Sequence, residues 1–248
     1  MRRRFFVPQF NGNAAELRGE AAEHLGKVLR AEAGQVYELS DGKQVRLGRI
    51  QRVARNHVEF ALMEELSAKG LSPSIALLLA IVKFDRFEWA IEKATELGVV
   101  EITPLAAARS ERALIAAAPK RAARWEKILF EAAQQSRRLR PPLLRPLARV
   151  QEAFSQTASE NENPPLLIFC SEETDAPPLR DFLAKESPAA PAPSVRLAIG
   201  PEGGWAPAES VTAQAAGFAP ASLGPQILRT ETAVIAAIAA IQYALGSA

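Results

Sequence analysis

The sequence predicts an α/β protein, a mainly parallel sheet covered by helices, preceded by a small β-barrel. Three observations carry that prediction. The first seventy residues read as short strands and turns. From Ile75 onward, short apolar runs alternate with amphipathic helical segments, the pattern of a parallel sheet with crossover helices. Between the two, Ser67–Ser74 (SAKGLSPS) has the composition of a linker. The 248 residues allow two modest domains, which we place at 1–70 and 74–248.

Arg4–Val7, Val36–Leu39, Val45–Ile50 and His57–Leu62 are β-rich runs, and Asp41-Gly42 marks a hairpin between the middle two. His24–Arg30 (HLGKVLR) reads as a short helix before a turn at Gly34. In the second part, Ile75–Val82 is a continuous apolar run, as expected of a strand buried on both faces. Phe84–Leu97 follows as a helix with Phe84, Phe87, Ile91 and Ala94 on one face and Gly98 just past its end. Val99–Pro104 is a strand. Pro119–Leu139 is a long helix aligning Trp125, Ile128, Leu129, Ala132, Ala133 and Ser136. Leu166–Cys170 and Val195–Ile199 are short buried strands. Thr230–Leu245 is the last helix, with Thr230 placed to cap it and Gly246 to end it. Its nearly all-round apolar surface predicts burial on several faces. Ala153–Pro165 and Ser187–Ser194 read as flexible loops.

Composition narrows the function classes. With 48% hydrophobic and 23% charged residues the chain is neither disordered nor collagen-like. One cysteine cannot close an internal disulfide, and two histidines, His24 and His57, make a metal site or a Ser-His-Asp triad hard to build. Neither MRRRFFVPQF nor any apolar stretch has the form of a signal peptide or a bilayer span, so the expectation is a soluble cytoplasmic protein. The net charge of +2 hides an asymmetry: residues 1–70 are net +3, 71–118 net −1, 119–149 net +7 and 150–248 net −7. A basic front and middle joined to an acidic end points to a polyanion such as nucleic acid.

Two glycine-proline turns carry the chemistry. In Ala198–Trp205 (AIGPEGGW) a buried strand runs into a turn whose glycines let backbone N–H groups approach a nucleotide-like ligand, with a helix starting near Pro207. No Gly-Lys-Ser/Thr follows, so it is not a phosphate P-loop. In Leu223–Thr232 (LGPQILRTET) a Gly-Pro turn leads to Arg229, the only basic residue after Arg196. Arg229 either pairs with Glu231 or offers its planar fork to an anion. The two turns, each after a strand, read as two walls of one pocket. Lys83, Arg86, Lys93 and Arg109 surround the first helix of the second part. Arg137, Arg138, Arg140 and Arg145 have no acidic neighbour in sequence, which fits phosphate contacts.

Four blocks stand in order: KFDRFEWAIEKATELGVVEITPLAAARS, RWEKILFEAAQQSRR, AIGPEGGW and LGPQILRTETA. With the opening MRRRFFV and HLGKVLR they resemble the RsmE-type 16S ribosomal RNA (uracil-N3) methyltransferases of the SPOUT superfamily, over nearly the whole chain. The resemblance implies an N-terminal PUA-like β-barrel that helps hold RNA and a SPOUT domain closed by a deep trefoil knot. It implies S-adenosylmethionine as cofactor, no metal, a homodimer, and methylation of N3 of a uridine in the decoding region of the small ribosomal subunit. The nearest alternative is a SPOUT enzyme acting on another RNA or on a ribose 2′-oxygen.

Carried over by position, the cofactor pocket comprises Phe169, Cys170, Ile199, Gly200, Pro201, Glu202, Gly203, Gly204, Ser222, Leu223, Gly224, Ile227, Leu228 and Arg229. RNA contacts fall to Arg2, Arg3, Arg4, Arg30, Arg86, Lys93, Arg109, Arg137 and Arg138. Two positions depart from the family pattern. Gln226 stands where a basic residue is usual, and Arg138 where a Gly is usual after the Gln-Ser. Catalysis requires removal of the N3 proton: Arg229 stabilises the resulting anion, and Glu202 or Glu231 acts either as the base or as a helix-end acid. Cys170, a single cysteine without a nearby His, reads as packing.

Overall fold

The computed structural model describes residues 3–67, 73–155, 164–173, 175–185 and 194–246. Arg2, residues 68–72 of the predicted linker, and most of the two predicted loops (156–163 and 187–193) lie outside them. The chain forms two compact units, and their boundaries are not a single cut. One is Met1–Gly70 together with Ala133–Pro141; the other is Leu71–Ala132 together with Pro142–Ala248.

In the first unit the elements are β1 (Arg4–Phe6), β2 (Ala14–Arg18), α1 (Glu20–Glu23) running into a π-helical turn at His24–Val28, β3 (Val36–Ser40), β4 (Val45–Ala54) and β5 (His57–Leu66). The sheet order is β1-β3-β4-β5-β2, with β1 parallel to β3 and the other pairs antiparallel. The Asp41-Gly42 hairpin forms as predicted. Asp41 Oδ1 accepts the backbone N–H groups of Lys43 and Gln44, both at 2.9 Å, and Gly42 turns the chain at φ +83°. Two irregularities in the β4–β5 register bend the sheet, which curls over Leu25, Leu39, Val58 and Phe60. The structure adds β2. Its sequence, Ala-Ala-Glu-Leu-Arg, has no β-branched residue to announce a strand, and it forms because Ala15 and Leu17 alternate into the core opposite β5.

The second unit comprises β6 (Ile75–Ala80), α2 (Phe84–Glu96), β7 (Glu101–Ala106), α3 (Arg112–Ala117), α4 (Ala122–Gln135, its last residues belonging to the first unit), the two-residue strands β8 (Leu143–Leu144) and β9 (Ala148–Arg149), α5 (Val150–Ser155), β10 (Leu166–Cys170), α6 (Leu179–Leu183), β11 (Val195–Ile199), α7 (Pro207–Ala215), β12 (Ala219–Ala221) and α8 (Thr230–Leu245). Every pairing is parallel, in the order β12-β10-β11-β6-β7-β8, with β9 also on β7. The apolar run at β6 has the predicted cause. Ile75, Leu77 and Leu79 face the core beneath α2 and α8, whereas Leu78 and Ala80 face a second core with Phe154, Trp205 and Phe218. Among the described residues no helix is long and apolar enough to cross a membrane.

Three predicted helix boundaries are corrected. The helix expected over Pro119–Leu139 is a 3₁₀ turn at Ala118–Arg121 followed by α4, and it stops at Gln135. There the N–H of Arg138 reaches the carbonyl of Ala133 at 2.9 Å and that of Arg137 the carbonyl of Gln134 at 3.3 Å. This is the hydrogen-bond pair of a Schellman end, with Arg137 in the left-handed conformation at φ +56°. The backbone position suited to glycine is therefore Arg137, one residue before the one the family pattern indicated. Gly98 ends α2 in the same way, at φ +90°, as predicted. At α8, Arg229 rather than Thr230 is the N-cap residue, and the Thr230 hydroxyl donates instead to the carbonyl of Gly200 at 3.1 Å. α8 also buries one face, through Val234, Ala237, Ile238, Ile241 and Leu245, and leaves Tyr243 94% exposed.

Candidate active site

Three strand ends build the site. β12, β10 and β11 are consecutive parallel neighbours in the sheet, so the loops leaving their C-terminal ends emerge side by side. These loops, after Cys170, Ile199 and Ala221, enclose a cleft. Both Gly-Pro turns line it, as their positions after strands predict.

Of the residues named from sequence, Cys170, Ile199, Gly200, Pro201, Glu202, Gly204, Ser222, Leu223, Gly224, Ile227 and Leu228 line the cleft. Phe169 does not: it is buried behind the wall, stacked on Trp205 with ring centroids 4.8 Å apart. Gly203 and Arg229 are not part of the lining, and neither is Glu231. The lining adds Ser171, Glu172, Trp205, Pro225, Gln226, Thr230 and Ala233. Most of these stand inside or beside the two quoted turn motifs. Glu172 has no such signal beyond its place directly after β10.

The loop between β11 and α7 is held from several sides. Gly204 donates its N–H to the carbonyl of Pro201 at 2.9 Å, closing a turn, and takes φ +68°. Trp205 Nε1 donates to the carbonyl of Cys170 at 2.9 Å, tying this loop to β10, and Thr230 ties it to α8. Glu209, 3% exposed, accepts from the N–H groups of Ala206 and Ala108 at 2.9 and 2.8 Å, anchoring the start of α7 to the segment after β7. Two glycines are required here, Gly200 by space and Gly204 by its left-handed backbone. A Cβ on Gly200 would stand 2.9 Å from the Trp205 ring, and one on Gly204 would be strained at φ +68° and would displace the flexible end of the exposed Glu172 side chain.

Cys170 is the free thiol at this edge, and burial pushes its pKa up to about 12. It therefore stays a neutral thiol at ordinary pH, with a thiolate fraction of roughly 10⁻⁴ at pH 8. Iodoacetamide at pH 8 is expected to leave the native protein unlabelled for hours and to label it on unfolding. Prompt stoichiometric labelling of the folded protein would contradict this assignment.

The cations predicted to meet RNA divide into two groups. Arg3 and Arg30 are exposed. Arg2 lies outside the described residues, and the others have interactions within the chain. Arg4 bonds Glu38 at 2.9 Å and the carbonyl of Arg137, and Arg137 lies 3.5 Å from Glu38. Lys93 pairs with Glu92 and Glu96 at 2.7 and 2.8 Å, which raises its pKa. Arg109 donates to the carbonyl of Gly203 at 2.7 Å. Arg86 pairs with Glu202 and lies 3.9 Å from Glu231. Arg138 is 6% exposed, and burial together with nearby Arg140 pushes its pKa down to about 10. As a phosphate contact Arg138 is thus corrected, because a buried guanidinium does not present its fork to an outside anion. Arg145, read as lacking an acidic neighbour, pairs with Glu101 at 2.8 Å across the sheet. Glu231 stands in the first turn of α8, and its Oε2 is buried without a hydrogen-bond partner. Among the described residues no cluster of His, Cys, Asp and Glu could hold a metal.

Comparison with known proteins gives a consistent picture. The RNA methyltransferase domain family matches residues 70–242. The ribosomal RNA small subunit methyltransferase E of Synechocystis is 35% identical over 230 residues, covering 90% of this chain and 71% of that protein. Its namesake in Bacillus subtilis is 31% identical, covering 91% and 88%. Among solved structures, a ribosomal RNA small subunit methyltransferase E from Neisseria gonorrhoeae, bound to S-adenosyl methionine, is 33% identical with a TM-score of 0.85 over 98% of both chains. A Legionella pneumophila methyltransferase in complex with the same cofactor is 32% identical with a TM-score of 0.82, again over 98% of both.

Proposed function

The chain belongs to the RNA methyltransferase family, and from that premise we propose that it methylates N3 of a uridine in the decoding region of 16S rRNA. It is an S-adenosylmethionine-dependent enzyme. The observation that carries the reading is the convergence of both Gly-Pro turns on one cleft, where Gly200 has no room for a side chain and Gly204 and Gly224 hold positive φ. That is the form of a site in which backbone groups read a nucleoside. Glu172 and Glu202 in the wall suit a ligand carrying ammonium and sulfonium charges. The residues therefore fit the cofactor, which supplies an activated methyl group when bound.

The remaining work falls to this chain. Uracil N3 carries a proton at neutral pH, so the site must accept that proton and stabilise the anion left behind. Arg229, at the positive N-terminus of α8 and without an ion pair among the described residues, is assigned to the anion. Glu202, which lines the cleft, and Glu231, with its unpartnered Oε2, are the candidate proton acceptors. RNA phosphates are assigned to Arg2, Arg3 and Arg30 of the first unit, which we read as a PUA-like barrel spanning 1–70 and preceding a knotted SPOUT domain at 74–248. The exposed stripe of Thr232, Ala239 and Tyr243 on α8 supports a homodimer closed through that helix. A cytoplasmic location follows from a ribosomal substrate.

The test is methyl transfer from labelled S-adenosylmethionine to small-subunit particles lacking the modification, with the product mapped to the base. Methylation of a ribose, or of another RNA only, would overturn the assignment. Within the same site, Gly204→Ala is expected to weaken cofactor binding about tenfold, because an L side chain is strained at φ +68° and the added methyl moves the Glu172 carboxylate in the wall. Calorimetry measures it, and wild-type affinity in that variant would show that this loop does not form the cofactor site.

A further inference from the structure

Arg86 stands in the first turn of α2, just past the end of β6. Its charge alone marks it as an RNA contact, but its neighbours say otherwise. Nη1 pairs with Oε1 of Glu202, from the loop after β11, and Nε lies 3.9 Å from Oε1 of Glu231, in the first turn of α8. The Glu231 side chain is 12% exposed and the Arg86 side chain 26%. One guanidinium therefore links an acid of the cleft wall, Glu202, to an acid in the first turn of α8, Glu231. A planar guanidinium has five N–H donors in fixed directions and can serve two carboxylates at once. The loop it holds, Gly200–Gly204, contains three glycines and has wide conformational freedom of its own. Its other flank is held by Arg109 on the Gly203 carbonyl. Without Arg86, Glu202 and Glu231 would face each other as like charges, pushing the loop away from the start of α8.

We propose that Arg86 is a positioning residue of the methyl-transfer site: by bridging Glu202 and Glu231 it sets the 200–204 loop against α8 in its cofactor-binding shape before the cofactor arrives. This rests on the cofactor reading above. Preorganisation of this kind acts on cofactor affinity, whereas a phosphate contact acts on RNA affinity and its salt dependence, so the two roles separate cleanly.

The experiment is calorimetric titration of S-adenosylmethionine into wild type, Arg86→Met, Arg86→Lys, Glu202→Gln and the Arg86→Met/Glu202→Gln double variant. KM for the small-subunit substrate is measured alongside at several salt concentrations. No binding to wild type would sink the cofactor reading itself. Given wild-type binding, Arg86→Met is expected to weaken the cofactor about tenfold or more, Glu202→Gln to do so in the same direction, and Arg86→Lys to recover part of the loss. The double variant should be little worse than Arg86→Met, because both remove one bridge. Wild-type cofactor affinity in Arg86→Met, with a raised RNA KM and a salt slope reduced by about one, would overturn the proposal in favour of a phosphate contact. Should Arg86→Met fail to fold, undiminished cofactor affinity in folded Glu202→Gln would overturn it equally.

Discussion

Arg229→Ala is expected to lower kcat for methyl transfer about 100- to 1000-fold while S-adenosylmethionine still binds, the loss typical of removing one donor aimed at developing negative charge. In the proposed reaction, loss of the N3 proton spreads charge over a uracil ring that has no counter-ion of its own. The cleft wall contributes acids, Glu172 and Glu202, and Arg86 is already engaged with Glu202. Arg229 is exposed, stands next to the lining residue Leu228, and occupies the N-cap of α8, where the helix ends in a partial positive charge. Gln226 supplies no second cation in that loop. Arg229→Lys keeps the charge without the planar fork and should fall between the two. Near-normal turnover in Arg229→Ala, with intact cofactor binding, would remove Arg229 from the chemistry.

What the sequence made legible follows the range of the interactions involved. β6, α2 and α8 were readable because their apolar spacing is a local property, and Gly98 marked the end of α2 because only its own φ mattered. The two cleft walls were readable for the same reason: each Gly-Pro turn follows its own strand. The fate of the cations was not. Arg4 meets a carboxylate 34 residues away, Arg109 a carbonyl 94 residues away, and Glu209 an N–H 101 residues away. No neighbouring residue announces such partners, so a charge that ends in an internal bond looks identical to one left for RNA. The end of α4 is a third kind of case. Arg137 adopts a backbone conformation that its side chain disfavours by about 1 kcal/mol, and tertiary contacts add to the local Schellman bonds that hold it there.

Those contacts centre on Glu38, and its replacement by Ala is expected to cost about 3–5 kcal/mol of stability. Glu38 is a strand residue of β3, and its side chain is 9% exposed. Its Oε2 receives Arg4 Nε and Nη2 at 3.1 and 2.9 Å, and its Oε1 lies 3.5 Å from Arg137 Nη2. Arg4 also donates to the Arg137 carbonyl, and Ser40, two residues along β3, donates to the Leu139 carbonyl at 2.6 Å. These bonds make Ala133–Pro141 part of the first unit, although more than sixty residues of chain separate it from the end of β5. Removing the carboxylate leaves the Arg4 guanidinium, 11% exposed, without its counter-charge. It also frees Arg137 from the contact that offsets its left-handed backbone. For a chain of this size the loss corresponds to a melting temperature lower by about 10 °C. Glu38→Gln keeps the shape and one acceptor and should lose less. The same bonds predict that a fragment ending at residue 70 melts below the full chain's first unit, since it lacks the segment that Arg4, Glu38 and Ser40 grip. A loss under about 1 kcal/mol in Glu38→Ala would place the cluster with ordinary surface ion pairs and leave the end of α4 held by something other than charge.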